Sequence, residues 1–100
     1  MTDDRQLISE NLYTIILDFK GGTYISQVSH LSPIDAVCGW ADTVSVEDAI
    51  AWRLDRSQLT TMVRRDNPIP ITGCTSVWCV SGSIGEDLAL INIVETVRRP

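Results

Sequence analysis

Residues 11–44 constrain the fold of this chain more than any other stretch. Two short apolar segments flank Gly21-Gly22, and a Ser32-Pro33 pair follows them. Adjacent glycines supply the positive φ angles that a tight hairpin turn requires. Serine at an N-cap with proline at the first helical position is a helix start signal, and Asp35 completes a capping box. The stretch therefore predicts a ββα unit whose helix covers a sheet.

The first predicted strand, residues 11–19, has one wholly apolar face. Its β-branched and aromatic residues favour a strand, and alternate positions point to opposite faces of a sheet. We expect the core side to consist of Tyr13, Ile15, Leu17 and Phe19. The second strand, residues 24–30, loses its alternation near Gln27. Either a bulge or exposure at a sheet edge would explain that loss.

Two helical segments are predicted after the hairpin. The first begins at Pro33 and has an apolar stripe on one side. Gly39 interrupts it at a cost of roughly 1 kcal/mol relative to alanine, which indicates a close approach of another group. The second begins after the N-cap Ser45 and bends or restarts near Ser57. It ends before Pro68, because a proline disfavours the helical conformation in the residue before it.

Residues 75–83 and 88–97 are predicted to form a third and a fourth strand. The fourth is apolar on both faces over its middle, which is typical of a central strand. The element order is therefore ββααββ. It predicts an α+β domain, with a four-stranded, mainly antiparallel sheet and two helices packed on one face. Residues 11–100 form this single domain, and residues 1–10 are expected to be a flexible lead-in.

Composition argues against several classes of function. The chain has 100 residues, a formal net charge of −5 and a sequence pI near 4.5, and an acidic surface repels nucleic acid. No apolar run approaches the ~18 residues of a membrane span, and no signal peptide is expected. An odd number of cysteines, three, is typical of reduced thiols, so we expect a cytoplasmic protein.

No constellation of residues predicts catalysis or metal binding. His30 is the only histidine. Cys38 falls in the middle of the first predicted helix, outside the first turn, where a helix lowers the pKa of a thiol. Cys74 and Cys79 lack the spacing of a zinc site and have no second pair of ligands. We therefore expect no enzyme, no cofactor and no bound metal.

The candidate contact residues surround the second helical segment. Trp52 lies away from the apolar stripe, and an exposed tryptophan beside arginines is typical of an interface hot spot. Burial of Trp52 under a third helix or under residues 68–70 is the alternative. Negative charge near the start of the segment would steer a basic partner. The predicted partner-binding residues are Trp52, Arg53, Arg56, Asp42, Glu47 and Asp48.

The arginines allow two interpretations. If they converge, they form a positive patch that could hold an RNA backbone or an acidic partner. Alternatively, they form ion pairs with acidic residues at neighbouring helical positions. The residues concerned are Arg53, Arg56, Arg64, Arg65, Arg98 and Arg99.

The strand–Gly-Gly–strand–helix pattern of residues 13–44 resembles the ββα half of HicB-type antitoxin domains. The small acidic chain is also similar in type to the immunity proteins encoded beside bacterial polymorphic toxins. These resemblances imply a non-catalytic bacterial protein that masks a protein partner, such as a basic toxin or enzyme. The alternative is an oligomeric scaffold or regulatory domain, for example a homodimer, in which a sheet edge or Trp52 pairs with a second copy.

Overall fold

The computed structural model describes residues 10–97, which form one antiparallel sheet and three helices. The elements in chain order are β1 (Asn11–Phe19), β2 (Gly22–His30), α1 (Pro33–Thr43), α2 (Val46–Trp52), α3 (Arg56–Arg65), β3 (Ile69–Pro70), β4 (Val77–Ile84) and β5 (Asp87–Thr96). The strand order across the sheet is β2-β1-β5-β4-β3. The predicted lead-in lies outside the described residues except for Glu10.

The predicted sheet of four strands with two helices is wrong, because residues 10–97 contain five strands and three helices. The additional strand is β3, which pairs with Trp78 and Cys79 of β4. A strand of two residues is too short to show the alternation of apolar and polar side chains that identifies a strand. The prolines in and next to β3 therefore predicted only the end of the preceding helix. Its pairing depends on contact with a distant strand and has no local signal.

The third helix arises because the second predicted helix is interrupted after Trp52. Arg53 adopts a left-handed conformation with φ of 57°, and its N–H donates to the Ile50 carbonyl at 3.1 Å. Asp55 then caps α3, and its carboxylate accepts the N–H of Gln58 at 3.1 Å. The predicted restart is real, but Asp55 is the cap and Ser57 lies inside the new helix.

The apolar face of β1 is the core side of the sheet, as predicted. Each of its four residues is at most 2% exposed. β5 lies between β1 and β4, so its prediction as a central strand is confirmed. The helices cover this same face, with α1 against β1, β2 and β5 and with α3 against β4. The core therefore lies between one face of the sheet and the helical layer.

The β1–β2 hairpin turns through Lys20 and Gly21, whose φ angles are 49° and 79°. Gly22 is already the first residue of β2 and pairs with Phe19. From there the register with β1 continues unbroken to His30, so β2 contains no bulge. The irregular pattern of β2 therefore reflects its position as the outermost strand.

Candidate functional site

Trp52, the predicted hot spot, lies at the end of α2 and is half-buried. Its indole stacks on the ring of Tyr24 in β2, with ring centroids 4.5 Å apart and planes inclined by 22°. The side chain of Tyr24 lies on the helix-covered face of the sheet, because the β1 residue paired with it, Leu17, belongs to the core. The indole is therefore partly covered by a residue of β2. The sequence-based alternatives for Trp52 were exposure, or burial under a third helix or residues 68–70, and neither included this contact.

The two predicted arginines lie at the corner between α2 and α3. Arg53 is exposed, and its backbone carbonyl accepts a hydrogen bond from the Lys20 ammonium at 3.1 Å. Arg56 begins α3 and lines a shallow depression of about 460 Å³ together with Asp42. Neither arginine forms an ion pair with another residue in the range 10–97. Both side chains are exposed at this corner.

The three predicted acidic residues do not form one cluster. Asp42 pairs with Arg64 across α1 and α3 at 2.7 Å, with both side chains about half exposed. Hydrogen bonding to Asp42 raises the pKa of Arg64. Glu47 and Asp48 are exposed in the first turn of α2, where the Ser45 hydroxyl accepts the N–H of Asp48 at 3.0 Å. At this position the two carboxylates interact favourably with the helix dipole, and they add negative charge to the helical layer.

Two of the arginines form ion pairs within the described residues. Arg65 approaches Asp66 at 3.4 Å, at an adjacent position, which fits the ion-pairing interpretation, whereas Arg64 pairs with Asp42 of the neighbouring helix α1. Arg98 and Arg99 lie outside the described part of the chain. Exposed pairs of this kind are screened by solvent, so they contribute little to stability.

The groups weighed for catalysis are held in structural contacts. The Cys38 thiol donates to the Val63 carbonyl at a sulfur–oxygen distance of 3.7 Å, and burial raises its pKa. The imidazole of His30 packs against the backbone of α1 at Gly39. No group of three or more histidine, cysteine, aspartate or glutamate side chains is arranged to hold a metal ion within residues 10–97.

One candidate binding surface is the side of the sheet opposite the helices, which we term the open face. One row of paired residues crosses all five strands on this side and runs Ile25, Ile16, Asn92, Cys79 and Ile69. A second row runs Gln27, Thr14, Val94 and Val77. Within residues 10–97, the helices cover only the other side.

The open face is almost free of charge. Asp18 is the only charged residue among the strand positions on this side, and its carboxylate accepts the Thr23 hydroxyl at 2.6 Å. Hydroxyl and amide groups form short links between strands, such as Gln27 to Thr14 at 3.0 Å and Thr14 to Thr96 at 2.6 Å. A chain with 21% charged residues thus concentrates its charges elsewhere.

Three apolar side chains of the open face are strongly exposed, and others nearer its middle, such as Ile16, Leu90 and Val94, are partly exposed. Ile25, Leu88 and Ile69 are 65%, 66% and 68% exposed. The sequence carried one signal for this surface, because the fourth predicted strand is apolar on both sides. That pattern predicts a central strand, which is correct. Only the strand order shows that one of the two apolar sides of this strand lies on the open face.

Three comparisons, with protein-family models, with curated proteins and with solved structures, found no match to this chain. The fold and its surfaces define a two-layer α+β domain with one helix-covered and one open sheet face. Within residues 10–97, no helix has both the length and the apolar character that crossing a bilayer requires.

Proposed function

We propose that this chain is a non-catalytic binding protein that masks a basic protein partner, in the manner of an immunity protein or antitoxin, through the open face. The observation that carries the proposal is the combination of exposed aliphatic side chains with a single charge, Asp18, on a five-stranded face. Depletion of charge is characteristic of the centre of protein interfaces.

The size of the open face is suited to such an interface. The four long strands, each about 4.8 Å wide and about eight residues long, give a projected area of roughly 500 Å². The accessible area of a pleated surface with side chains is larger than its projection. It therefore approaches the ~800 Å² that each partner contributes to a specific complex of standard size.

The remaining charges support a basic partner. The formal net charge is −5, and among the described acids Glu47 and Asp48 are exposed on the helical layer. Charges distributed around a weakly charged contact surface accelerate the encounter with an oppositely charged protein, and the apolar contact then holds the complex. The partner should therefore combine an overall positive charge with a flat, apolar contact patch.

A matched pair of lysine substitutions tests this proposal. Leu90→Lys introduces a positive charge near the middle of the open face. Asp18 is the residue paired with position 90 across β1 and β5, so its carboxylate can form an ion pair with the new lysine in the folded protein. Ile50→Lys introduces the same charge at an isoleucine that is 72% exposed on α2. Both variants should retain the wild-type circular dichroism spectrum and unfolding midpoint within a few degrees.

The wild-type protein, Leu90→Lys and Ile50→Lys serve as baits in lysate from the source organism, and captured proteins are identified by mass spectrometry. The affinity of each stoichiometric partner is then measured with the purified proteins. We expect a basic partner that binds the wild type and Ile50→Lys equally and binds Leu90→Lys at least about tenfold more weakly. Equal binding to all three would place the contact elsewhere and refute the open-face proposal.

The predicted residues of the helical layer provide the competing contact surface. Arg56→Ala and Arg53→Ala alter exposed side chains without removing any ion pair within residues 10–97. If these substitutions weaken binding while Leu90→Lys does not, the partner contacts the helical layer. That outcome would retain the binding function and reject the open face as its site.

A further inference from the structure

The one charged residue among the described strand positions of the open face, Asp18, lies beside a depression. Asp18 is paired with Thr23 of β2 on one side and with Leu90 of β5 on the other. The depression next to this row has a volume of about 300 Å³. Its lining consists of Asp18, Thr23, Leu88, Leu90 and the hairpin residues 19–22. This hollow, which we term the Asp18 depression, combines one carboxylate with two leucines that are in contact with solvent.

The Asp18 carboxylate is oriented by a hydrogen bond but has no cation beside it in the described part of the chain. Its Oδ1 atom accepts the Thr23 hydroxyl at 2.6 Å. Lys20, the only lysine of the chain, donates instead to the Arg53 carbonyl in the helical layer, and its ammonium lies 5.2 Å from the ring centroid of the core residue Phe19. Asp18 forms no ion pair with any residue from 10 to 97. Among these residues, its Oδ2 atom therefore has no partner.

Contact with another protein across the open face would remove this carboxylate from water. A charge that leaves water weakens a complex unless an opposite charge or hydrogen-bond donors compensate for the lost hydration. A basic partner has such groups in its lysine and arginine side chains, and opposite charges across an interface also fix the register of the two surfaces. The partner that suits this face therefore presents a cation at Asp18.

We propose that the Asp18 depression binds one lysine side chain of the basic partner, an assignment that rests on the proposed masking function and its contact through the open face. The lysine ammonium pairs with Oδ2 of Asp18, and the four-carbon stem lies against Leu88 and Leu90. Thr23 is a positioning residue, because its hydroxyl holds the other carboxylate oxygen.

A lysine suits this carboxylate better than an arginine does. An arginine guanidinium binds a carboxylate best through two parallel hydrogen bonds, one to each oxygen. At Asp18 the hydroxyl of Thr23 already occupies Oδ1 at 2.6 Å, so it competes with one arm of that arrangement. An ammonium is a compact point charge that requires only the second oxygen. The leucines meanwhile provide an apolar surface for the long aliphatic part of the side chain.

The substitution Asp18→Asn has effects of opposite sign for a paired and for an unpaired carboxylate. Asparagine has the same shape, and its amide oxygen still accepts the Thr23 hydroxyl, so the fold should be retained. Loss of a lysine partner should raise the dissociation constant for the protein captured by the wild-type bait at least about tenfold. Equal or tighter binding by Asp18→Asn would overturn the proposal, because removal of an unpaired charge relieves the cost of its burial.

Glu95→Gln is the matched control. It removes the same charge from an exposed position at the other end of β5, outside the Asp18 depression. We expect it to change the dissociation constant less than about twofold, because a distant exposed charge acts mainly on the rate of encounter. An equal loss of binding in Asp18→Asn and Glu95→Gln would assign the effect to net charge and overturn the proposal.

Defined probes test the depression without a captured partner. Nα-acetyl-lysine methylamide and its norleucine and arginine counterparts are titrated to about 50 mM, and the methyl resonances of Leu88 and Leu90 are followed by nuclear magnetic resonance. The lysine compound should bind with a dissociation constant at least about threefold lower than that of the norleucine compound, which lacks the ammonium. This preference should persist in Glu95→Gln and vanish in Asp18→Asn. No preference for lysine over norleucine, or tighter binding of the arginine compound, would overturn the lysine assignment.

Failure of this assignment and failure of the masking proposal are distinguishable. If Leu90→Lys weakens binding of the captured protein and Asp18→Asn does not, the open face remains the contact surface and the lysine assignment is rejected. If Leu90→Lys does not weaken binding, the masking surface is rejected, and the titration with the lysine compound still decides whether the depression binds an ammonium group.

Discussion

The substitution Trp52→Ala is expected to lower the free energy of unfolding by about 2 kcal/mol. Truncation of a fully buried tryptophan or phenylalanine to alanine costs about 3–5 kcal/mol. The Trp52 side chain is half-buried, packs against the core, and stacks on Tyr24. Because part of the side chain is in contact with solvent, a cost below that range applies, and about 0.5–1.5 kcal/mol of it belongs to the contact between the two rings.

Urea unfolding monitored by far-ultraviolet circular dichroism measures this loss, because the substitution itself changes the tryptophan fluorescence. A double-mutant cycle with Tyr24→Ala isolates the ring contact, and the expected coupling is about 1 kcal/mol. Tyr24→Phe is the matched control. It retains the stacked ring, and we expect it to cost less than about 0.5 kcal/mol.

A loss below about 0.5 kcal/mol for Trp52→Ala, together with coupling near zero, would refute the stacked arrangement. The result also bears on function, because Trp52 is a predicted contact residue. If the substitution destabilises the fold, weaker partner binding does not by itself establish a hot spot. Binding by Trp52→Ala must then be compared with binding by Tyr24→Ala, which disturbs the same stack from the strand side.

Two further predictions concern tight packing and thiol chemistry. Gly39→Ala should destabilise the fold by no more than about 1 kcal/mol in thermal or urea unfolding, because the collision of its methyl group with the His30 imidazole is partly offset by the roughly 1 kcal/mol that alanine gains over glycine in a helix. When His30 is replaced by alanine, Gly39→Ala should instead stabilise the fold, and an equal effect of Gly39→Ala with and without the imidazole would contradict the contact. Burial raises the pKa of the Cys38 and Cys79 thiols, so at pH 8 both should react with an aromatic disulfide reagent more slowly than the exposed Cys74. Because the unfolded chain loses these protons first, their contribution to stability should fall as the pH rises past the ordinary thiol value of 9.0. Three thiols that react at equal rates would contradict this assignment.

Local patterns were sufficient to predict most elements. The alternation of β1 identified its core face, because that pattern reports burial on one side of a strand. Ser32 and Ser45 located two helix starts, and their hydroxyls accept the N–H groups of Asp35 and Asp48. Capping depends on residues three apart in the chain, so its signal is present before any tertiary contact forms.

The candidate sites were less predictable, because exposure depends on distant contacts. Trp52 was judged from its position on a helix, but Tyr24 from the hairpin covers part of its ring. The open face combines residues from β1 and β5 that are far apart in the chain, and no local window contains it. The predicted contact residues of the helical layer remain predictions that the binding experiments above can test.

The sequence by itself determined the hairpin, the core face of β1 and the starts of α1 and α2, because each depends on near neighbours in the chain. Only the tertiary structure decided that β5 inserts between β1 and β4, that β3 joins the sheet, and that β2 is its outermost strand. Strand order reflects the sum of burial and pairing energies over the whole sheet. No single segment encodes that sum, and the surface proposed for binding depends on it.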